Sequence, residues 1–282
     1  MTQLSLFRKA GAGAWCEPFA GSAAVALYLF GVMAPVGYAG NKRRVAPRLT
    51  AHFWPRLDTP SRVSLADIGP WGTVWRACAG GHLQRIIEVI RDWPDCSDFE
   101  LWHQFARQPV PSDPIERAAS FLFLQARQAH HAPIWICQAD GGARWVRNGG
   151  GAPHHRAIFR GDGGRWGEAL SRRSLLLRLN ELLTVPWQRF EVYADAHEAV
   201  RAVKPGDVVY MDPPYQGALV RYAGGPPALL AQMALEAMER GGRVVVSDSR
   251  PLDLPGWIHR DITDWFGRGC RQSREIVSYQ SS

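Results

Sequence analysis

The stretch VVYMDPPY at residues 208–215 joins a strand-like run to a rigid polar end. Its first four residues are apolar, a pattern typical of a fully buried strand in a parallel sheet. Asp212, two prolines and Tyr215 follow this run directly. Open α/β sheets bind their ligands at the carboxyl ends of their strands, so the stretch predicts an α/β fold with a site at this edge.

The residues that follow the strand suit the capture of a planar exocyclic amine. Pro213 and Pro214 have fixed φ angles and lack N–H donors, so the loop is stiff and its carbonyl groups stay free. The Asp212 carboxylate and the Pro213 carbonyl would each accept one N–H, while Tyr215 stacks on the base. This arrangement favours the pyramidal nitrogen that attacks an electrophile. An ordinary Asp-Pro-Pro turn is the alternative interpretation.

A second motif, EPFAGSAAV at residues 17–25, predicts a strand that ends in a turn of small residues. Such a turn lets a ligand approach the backbone next to a helix, although close packing of helix on strand would also select small residues. Asp67 ends the next predicted strand, where an acid commonly binds ribose hydroxyls. The motif lacks the three-glycine dinucleotide fingerprint, so NAD and FAD are not expected.

Hydrophobic periodicity predicts α/β units on both sides of a different middle region. A short strand, a turn at Gly21-Ser22 and a helix are expected within residues 14–29. Further strands are expected at 63–65, 190–193, 208–211, 243–247, 257–262 and 275–279, and further helices at 72–93, 115–130, 174–183, 196–203 and 229–240. Residues 138–168 are rich in Gly, Arg and His and predict an irregular or hairpin-like segment. We expect a Rossmann-like sheet with helices on both faces, formed by residues 1–96 and 187–282. A mostly helical or irregular insertion, residues 97–186, would interrupt it.

The charge of the chain is unevenly distributed. The formal net charge is +7, and thirty arginines stand against only three lysines. Residues 141–178 carry a net +6 and residues 37–62 a net +5, so the remainder is acidic. Two basic segments on an acidic body indicate binding of a polyanion, and arginine suits phosphate and base edges. A GC-rich genome is an alternative explanation of the arginine excess alone.

Other classes of protein are not expected. The five cysteines are scattered without a Cys-x-x-Cys pair, which argues against a zinc site and a disulfide framework and for a reducing cytoplasm. Histidine pairs at 130–131 and 154–155 lack neighbouring acids or cysteines at metal-ligand spacing, so no metal is expected. No apolar run is long enough for a membrane span or a signal peptide.

With these motifs the sequence resembles the Dam-type (D12 class) DNA adenine-N6 methyltransferases. The resemblance implies that residues 212–215 are the catalytic Asp-Pro-Pro-Tyr and that residues 17–25 form the S-adenosylmethionine loop. Three further stretches carry it: YAGNK at 38–42 is similar to the family's aromatic-Ala-Gly-Gly-Lys element, LADI at 65–68 to the ribose-binding strand end, and YAD at 193–195 to the segment beside the cofactor adenine. The implied cofactor-binding residues are Glu17, Pro18, Phe19, Ala20, Gly21, Ser22, Tyr38, Lys42, Asp67, Ile68, Asp195 and Asp212.

The sequence departs from the family at two places. The aromatic-Ala-Gly-Gly-Lys element precedes the cofactor loop in the family but follows it here, and Asn41 replaces a glycine, so Lys42 could instead contact phosphate. The target-recognition pattern is blurred near residues 124–131, so a GATC target is not transferred. The arginines expected to contact DNA are Arg127, Arg144, Arg147, Arg156, Arg160 and Arg165.

The resemblance implies methyl transfer from S-adenosylmethionine to the N6 amino group of an adenine flipped out of duplex DNA. Two alternatives stay open: an RNA adenine or guanine amino-methyltransferase, and a catalytically inert DNA-binding decoy of the same fold. The protein is expected in the cytoplasm, associated with the nucleoid, and encoded by a bacterium or a phage. A monomer or dimer is expected, and a companion restriction endonuclease would suit such an enzyme.

Overall fold

The computed structural model describes residues 13–37, 42–54, 58–128, 133–138, 142–147, 171–213, 227–266 and 274–280. The chain divides into two compact units. The sheet unit comprises residues 1–31, 42–67 and 189–282, and the helical unit comprises residues 32–41 and 68–188.

Nine strands and nine α-helices are described. The strands are β1 Trp15–Glu17, β2 Val63–Ala66, β3 Ile134–Cys137, β4 Arg144–Arg147, β5 Phe190–Tyr193, β6 Val208–Met211, β7 Arg243–Asp248, β8 Trp257–Asp261 and β9 Ile276–Gln280. The helices are α1 Ala24–Tyr28, α2 Ala46–Phe53, α3 Pro70–Ala79, α4 Leu83–Arg91, α5 Asp98–Arg107, α6 Pro114–Ala126, α7 Arg172–Leu182, α8 Ala196–Arg201 and α9 Pro227–Glu239. None of these described helices is long and apolar enough to cross a membrane.

The sheet unit contains a seven-stranded sheet in the order β5-β2-β1-β6-β7-β9-β8. Its first five strands are mutually parallel, and β9 runs antiparallel to both β7 and β8. The order reverses between β1 and β6, where Trp15 pairs with Val208 and Cys16 with Val209. This mixed α/β arrangement, flanked by helices, is compatible with a Rossmann-like fold, in which ligands bind beside such a reversal point.

Apolar packing against the central strands holds the sheet unit together. Val209 and Met211 on β6 and Val244 and Val246 on β7 are fully buried. They share one core cluster with Met233, Ala234 and Ala237 of α9. Burying each large side chain of this kind contributes about 1.5–3 kcal/mol, so the position of β6 is strongly determined.

The helical unit is built around α6. Asp113 caps the amino end of this helix by accepting hydrogen bonds from the backbone N–H groups of Ile115 and Glu116. Residues on every face of the helix from Ala118 to Ala126 are buried. Helices α3, α4, α5 and α7 and strand β3 pack against α6, and β3 forms an antiparallel hairpin with β4.

The structure differs from the sequence-based expectations in three respects. The single helix expected at 72–93 is two helices, because the chain turns at Gly81, whose φ is +77°. Helices α2 and α5 were not expected. The helical unit takes in α3 and α4, so the division falls between Asp67 and Ile68, whereas the sequence suggested residue 97. The physical reason is that α6 is buried on all sides and needs α3 and α4 as partners.

Candidate active site

The carboxyl ends of the parallel strands carry a row of acids. Glu17 ends β1, Asp67 follows β2, Asp212 follows β6 and Asp248 ends β7. Because these strands are parallel neighbours, their carboxyl ends lie at the same edge of the sheet. The structure therefore brings Glu17, Asp67 and Asp212, three residues singled out from the sequence, to one edge.

A buried lysine completes this edge. The Lys42 side chain is only 3% exposed, and its Nζ lies 2.7 Å from Asp212 Oδ1 and 3.4 Å from Glu275 Oε1. Glu275 is equally buried and also accepts a hydrogen bond of 2.8 Å from the Ser247 hydroxyl. Lys42, which follows the loop at residues 17–25 in this sequence, thus contacts Asp212, which is 170 residues further along the chain.

Burial and charge act in opposite directions on the Lys42–Asp212 pair. Burial raises the pKa of Asp212, Lys42 lowers it and Glu275 raises it, with the result that it lies at about 7. Burial alone would lower the pKa of Lys42, but the charges of Asp212 and Glu275 outweigh it and raise that pKa. Lys42 therefore stays protonated, while Asp212 is ready to gain or lose a proton near neutral pH.

Glu17 is a second carboxyl group with a strongly shifted titration. Burial raises its pKa to about 8, although a hydrogen bond from the Trp15 indole acts to lower it. That bond joins Trp15 Nε1 to Glu17 Oε1 at 2.7 Å. The charge of Asp212 raises the pKa of Glu17 further, so Glu17 is largely protonated at neutral pH and can donate a hydrogen bond.

The turn after β1 is fastened to the end of β2. The backbone N–H of Ala20 donates to the Ala66 carbonyl at 2.9 Å, and that of Gly21 donates to Asp67 Oδ2 at 3.2 Å. Gly21 and Ala23 have φ angles of 46° and 48°, in the left-handed region that favours residues without a bulky side chain. The small residues predicted at this turn are therefore required by its backbone conformation.

Other predicted cofactor residues have varied surroundings. Pro18 and Ser22 are buried, and Phe19 packs partly buried against the sheet core. Asp195 caps α8 by accepting a hydrogen bond from the Glu198 backbone, so its carboxylate has a structural role. Ile68 is 61% exposed. Tyr38, Pro214 and Tyr215 lie outside the described residues.

The prediction that Arg127 contacts DNA needs correction. Its guanidinium is 1% exposed, forms a salt bridge with Asp98 and lies 4.0 Å from the centre of the Phe123 ring. A group enclosed in this way cannot also reach a phosphate, so we assign Arg127 a structural role in the helical unit. Two further residues of the basic segments are also engaged inside their units: Arg62 pairs with Asp207 at 2.6 Å, and Arg172 donates to the carbonyls of Trp93 and Pro94.

Of the remaining arginines predicted to contact DNA, Arg144 is exposed on β4. Arg147 ends the same strand, but its side chain is not among those described. Arg156, Arg160 and Arg165 lie outside the described residues, as do both histidine pairs.

Sequence reasoning missed Glu275 and Ser247. Glu275 precedes β9, and its local sequence offers no motif that marks it as a site residue. Only the strand direction reveals it: an antiparallel strand starts at the edge where its parallel neighbours end, so β9 begins beside Asp248 of β7. An acid directly before the closing strand is the one sequence signal that points to it.

Comparison with known proteins leaves the site to be interpreted from its own geometry. No protein-family model matches the chain, and no curated protein matches it. The residues and contacts described above must therefore carry any functional interpretation.

Proposed function

We propose that the protein is a methyltransferase that uses S-adenosylmethionine to methylate the N6 amino group of adenine in DNA. The observation that carries the proposal is the contact of 2.7 Å between the buried Lys42 and the half-buried Asp212 at the carboxyl end of β6. It joins two separate motifs of the resemblance at the edge of the sheet where ligands of such folds bind.

The charge of this edge supports a cationic cofactor. Asp67 and Asp212 are acids, Glu17 is largely neutral at neutral pH, and Lys42 is already paired with two carboxylates. A pyrophosphate would be repelled here, whereas the sulfonium and ammonium groups of S-adenosylmethionine would be attracted. Asp67 would hold the ribose hydroxyls, and the turn at residues 18–22 would border the cofactor. When bound, the cofactor supplies an electrophilic methyl group.

Asp212 would orient the amine that receives this methyl group. Lys42 holds Oδ1 of Asp212, and we assign Oδ2 to accept one N–H of the amine. The Pro213 carbonyl would accept the other N–H, and Tyr215 would stack on the base, as the resemblance implies. The pKa of Asp212, at about 7, allows the carboxylate to take up a proton released by the amine.

Positive charge on the protein supports nucleic acid as the substrate. The net charge is +7, and Arg144 is exposed on β4 of the helical unit. A base buried in a duplex can reach a pocket only after it is flipped out, so phosphate contacts must hold the flanking backbone. Exposed arginines in the basic segment 141–178 would provide these contacts.

The test is incubation of the protein with labelled S-adenosylmethionine and DNA of varied sequence, followed by mass spectrometry of the nucleosides. We expect N6-methyladenine, and its absence on every DNA would refute the proposal. Asp212→Asn should lower methylation at least about a hundredfold while DNA binding persists. Asp264→Asn, an exposed acid elsewhere in the sheet unit, is the matched control and should stay active.

A competition between duplex DNA and single-stranded RNA decides the nature of the nucleic acid. The proposal expects methyl groups mainly in the DNA. Preferential methylation of the RNA would select an RNA methyltransferase, and DNA binding without methylation would select an inert DNA-binding protein.

A further inference from the structure

Glu275 is held more firmly than a surface acid next to a strand would be. Its backbone N–H donates to Thr263 Oγ1 at 3.0 Å, and its carbonyl accepts from the Ile262 N–H at 2.9 Å. Its side chain is buried and accepts the Ser247 hydroxyl at 2.8 Å. Backbone and side chain are thus fixed, and Oε1 lies toward Lys42.

Glu275 therefore shares Lys42 with Asp212. The two distances from Lys42 Nζ are 2.7 Å to Asp212 and 3.4 Å to Glu275. A lysine paired with a single buried carboxylate would neutralise it and make it a poor hydrogen-bond acceptor. A lysine that serves two carboxylates offsets the charge of each only in part, so the ionised Asp212 is a stronger base and a stronger hydrogen-bond acceptor.

We propose that Glu275 is a positioning residue, which holds Lys42 on Oδ1 of Asp212 and keeps Asp212 a strong acceptor for the substrate amine. The inference rests on the proposed function, and it deepens that function by adding a residue that acts only through Lys42. Glu275 itself is not expected to touch the substrate.

The same unit contains a matched arrangement at the opposite end of β6. Asp207 precedes this strand, and Arg62 bridges Asp207 and Glu191 at 2.6 Å and 3.2 Å. Both sites place one cation between two carboxylates. They differ in exposure, because the Glu191 side chain is 49% exposed and that of Glu275 is 4% exposed. Glu191→Gln also removes one carboxylate from the sheet unit, but at the other end of β6. It is therefore the control that separates loss of any carboxylate from loss of Glu275.

Several charged or titratable groups surround Asp212 and must be considered together. Lys42 precedes α2, Tyr210 belongs to β6, Asp248 ends β7 and Glu17 ends β1. Lys42 lowers the pKa of Asp212, while Glu275 and Asp248 raise it. Removal of the Glu275 charge should therefore lower the pKa of Asp212.

The experiment is an NMR titration of the full chain labelled with ¹³C in the aspartate carboxyl groups, with Asp212→Asn used to assign the signal. In Glu275→Gln the pKa of Asp212 should fall by about one unit. In Glu191→Gln it should stay at its native value. An unchanged pKa of Asp212 in Glu275→Gln, or an equal fall in both variants, would overturn the inference.

Glu275→Asp is the second variant, and it keeps the test valid if Glu275→Gln does not fold. It retains the charge, so the pKa of Asp212 should stay within about half a unit of native. A fall as large as the one expected for Glu275→Gln would mean that side-chain shape, not charge, matters here, and would contradict the inference.

Methylation kinetics provide the functional measurement. In Glu275→Gln the acid limb of the kcat/KM profile should move to lower pH with the pKa of Asp212, and kcat should fall about tenfold. In Glu275→Asp both should return toward native. If the native protein methylates nothing, the proposed function fails, whereas the titration still reports whether Glu275 and Asp212 share Lys42. Failure of the proposed methylation and failure of the inference about Glu275 are therefore distinguishable.

Discussion

Glu17 is an acid whose environment favours its neutral form. The carboxyl group is buried at the end of β1, accepts the Trp15 indole N–H and has a pKa raised to about 8. In the unfolded chain the same group titrates near its usual value of 4.5. The folded protein thus binds one more proton than the unfolded chain between these two pH values.

This difference predicts a pH-dependent stability. The contribution of Glu17 is fully present below about pH 4.5 and is lost as pH rises toward 8, by up to about 1.4 kcal/mol per pH unit. Glu17→Gln should remove the share of the slope that belongs to Glu17 and leave that of Asp212, whose pKa is raised to about 7, as measured by urea unfolding from pH 5 to 9. Glu239→Gln, an exposed acid at the end of α9, should retain it. Equal slopes in native protein and Glu17→Gln would contradict the prediction.

Among single residues, the sequence identified those that belong to motifs and missed those that only the fold brings together. Lys42 was singled out because it ends a recognisable element, and it does contact Asp212. Glu275 was predicted only as the first residue of the strand at 275–279, and its role depends on the direction of β9. Arg127 was misjudged because sequence does not tell an exposed arginine from one enclosed by Asp98 and Phe123.

Among the elements, α5 shows how a local signal can be overlooked. Ser97 accepts a hydrogen bond from the Glu100 backbone N–H at 3.2 Å, and Glu100 Oε2 accepts from the Ser97 backbone N–H at 3.1 Å. This reciprocal pair is the capping box, which can be read from a serine followed three residues later by a glutamate. The helix was therefore predictable from this local signal.

The capping box makes a specific prediction for stability. Ser97→Ala should destabilise the protein by about 1 kcal/mol, because an exposed helix end loses an acceptor for its N–H groups. Ser97→Thr keeps the hydroxyl and should cost much less. The measurement is urea unfolding at one pH, and equal losses in the two variants would show that the cap is not the cause.

The strands were the most predictable elements because their apolar runs are continuous. The runs at 190–193 and 208–211 match β5 and β6. The error at α3 and α4 has a simple cause: apolar spacing continues across Gly80 and Gly81, while Gly81 adopts a left-handed conformation that ends the helical path. Periodicity records which side is buried but does not record such a break.

Across the whole molecule, part of the positive charge is neutralised internally. Arg62 is paired with Asp207 and Glu191, and Arg127 with Asp98, so neither is available to a polyanion. The basic segments therefore offer fewer phosphate contacts than their net charge suggests. Arg144, exposed on β4, is the described member of the predicted DNA-binding group whose side chain can reach outward.

Salt dependence of DNA binding tests this assignment. Arg144→Ala should weaken binding of a duplex and reduce the slope of log K against log salt concentration by about one. Arg240→Ala should leave the slope unchanged, because Arg240 lies outside the basic segments and binds Glu236 and the Arg201 carbonyl. Fluorescence anisotropy between 50 and 200 mM salt would measure both slopes, and an unchanged slope in Arg144→Ala would exclude a phosphate contact.

The pairing of β1 with β6 also has a consequence for synthesis of the protein on the ribosome. Ala14 donates its N–H to Asp207, 193 residues further along the chain. At about 5–20 residues per second, the nascent chain carries β1 for about 10–40 s before β6 emerges. During that interval the backbone of Trp15 and Cys16 lacks one of its two neighbouring strands. Their apolar side chains also lack part of the packing that buries them in the folded protein. Among the parallel strand pairs of the described sheet, β1 and β6 are therefore the pair whose second strand is synthesised longest after the first.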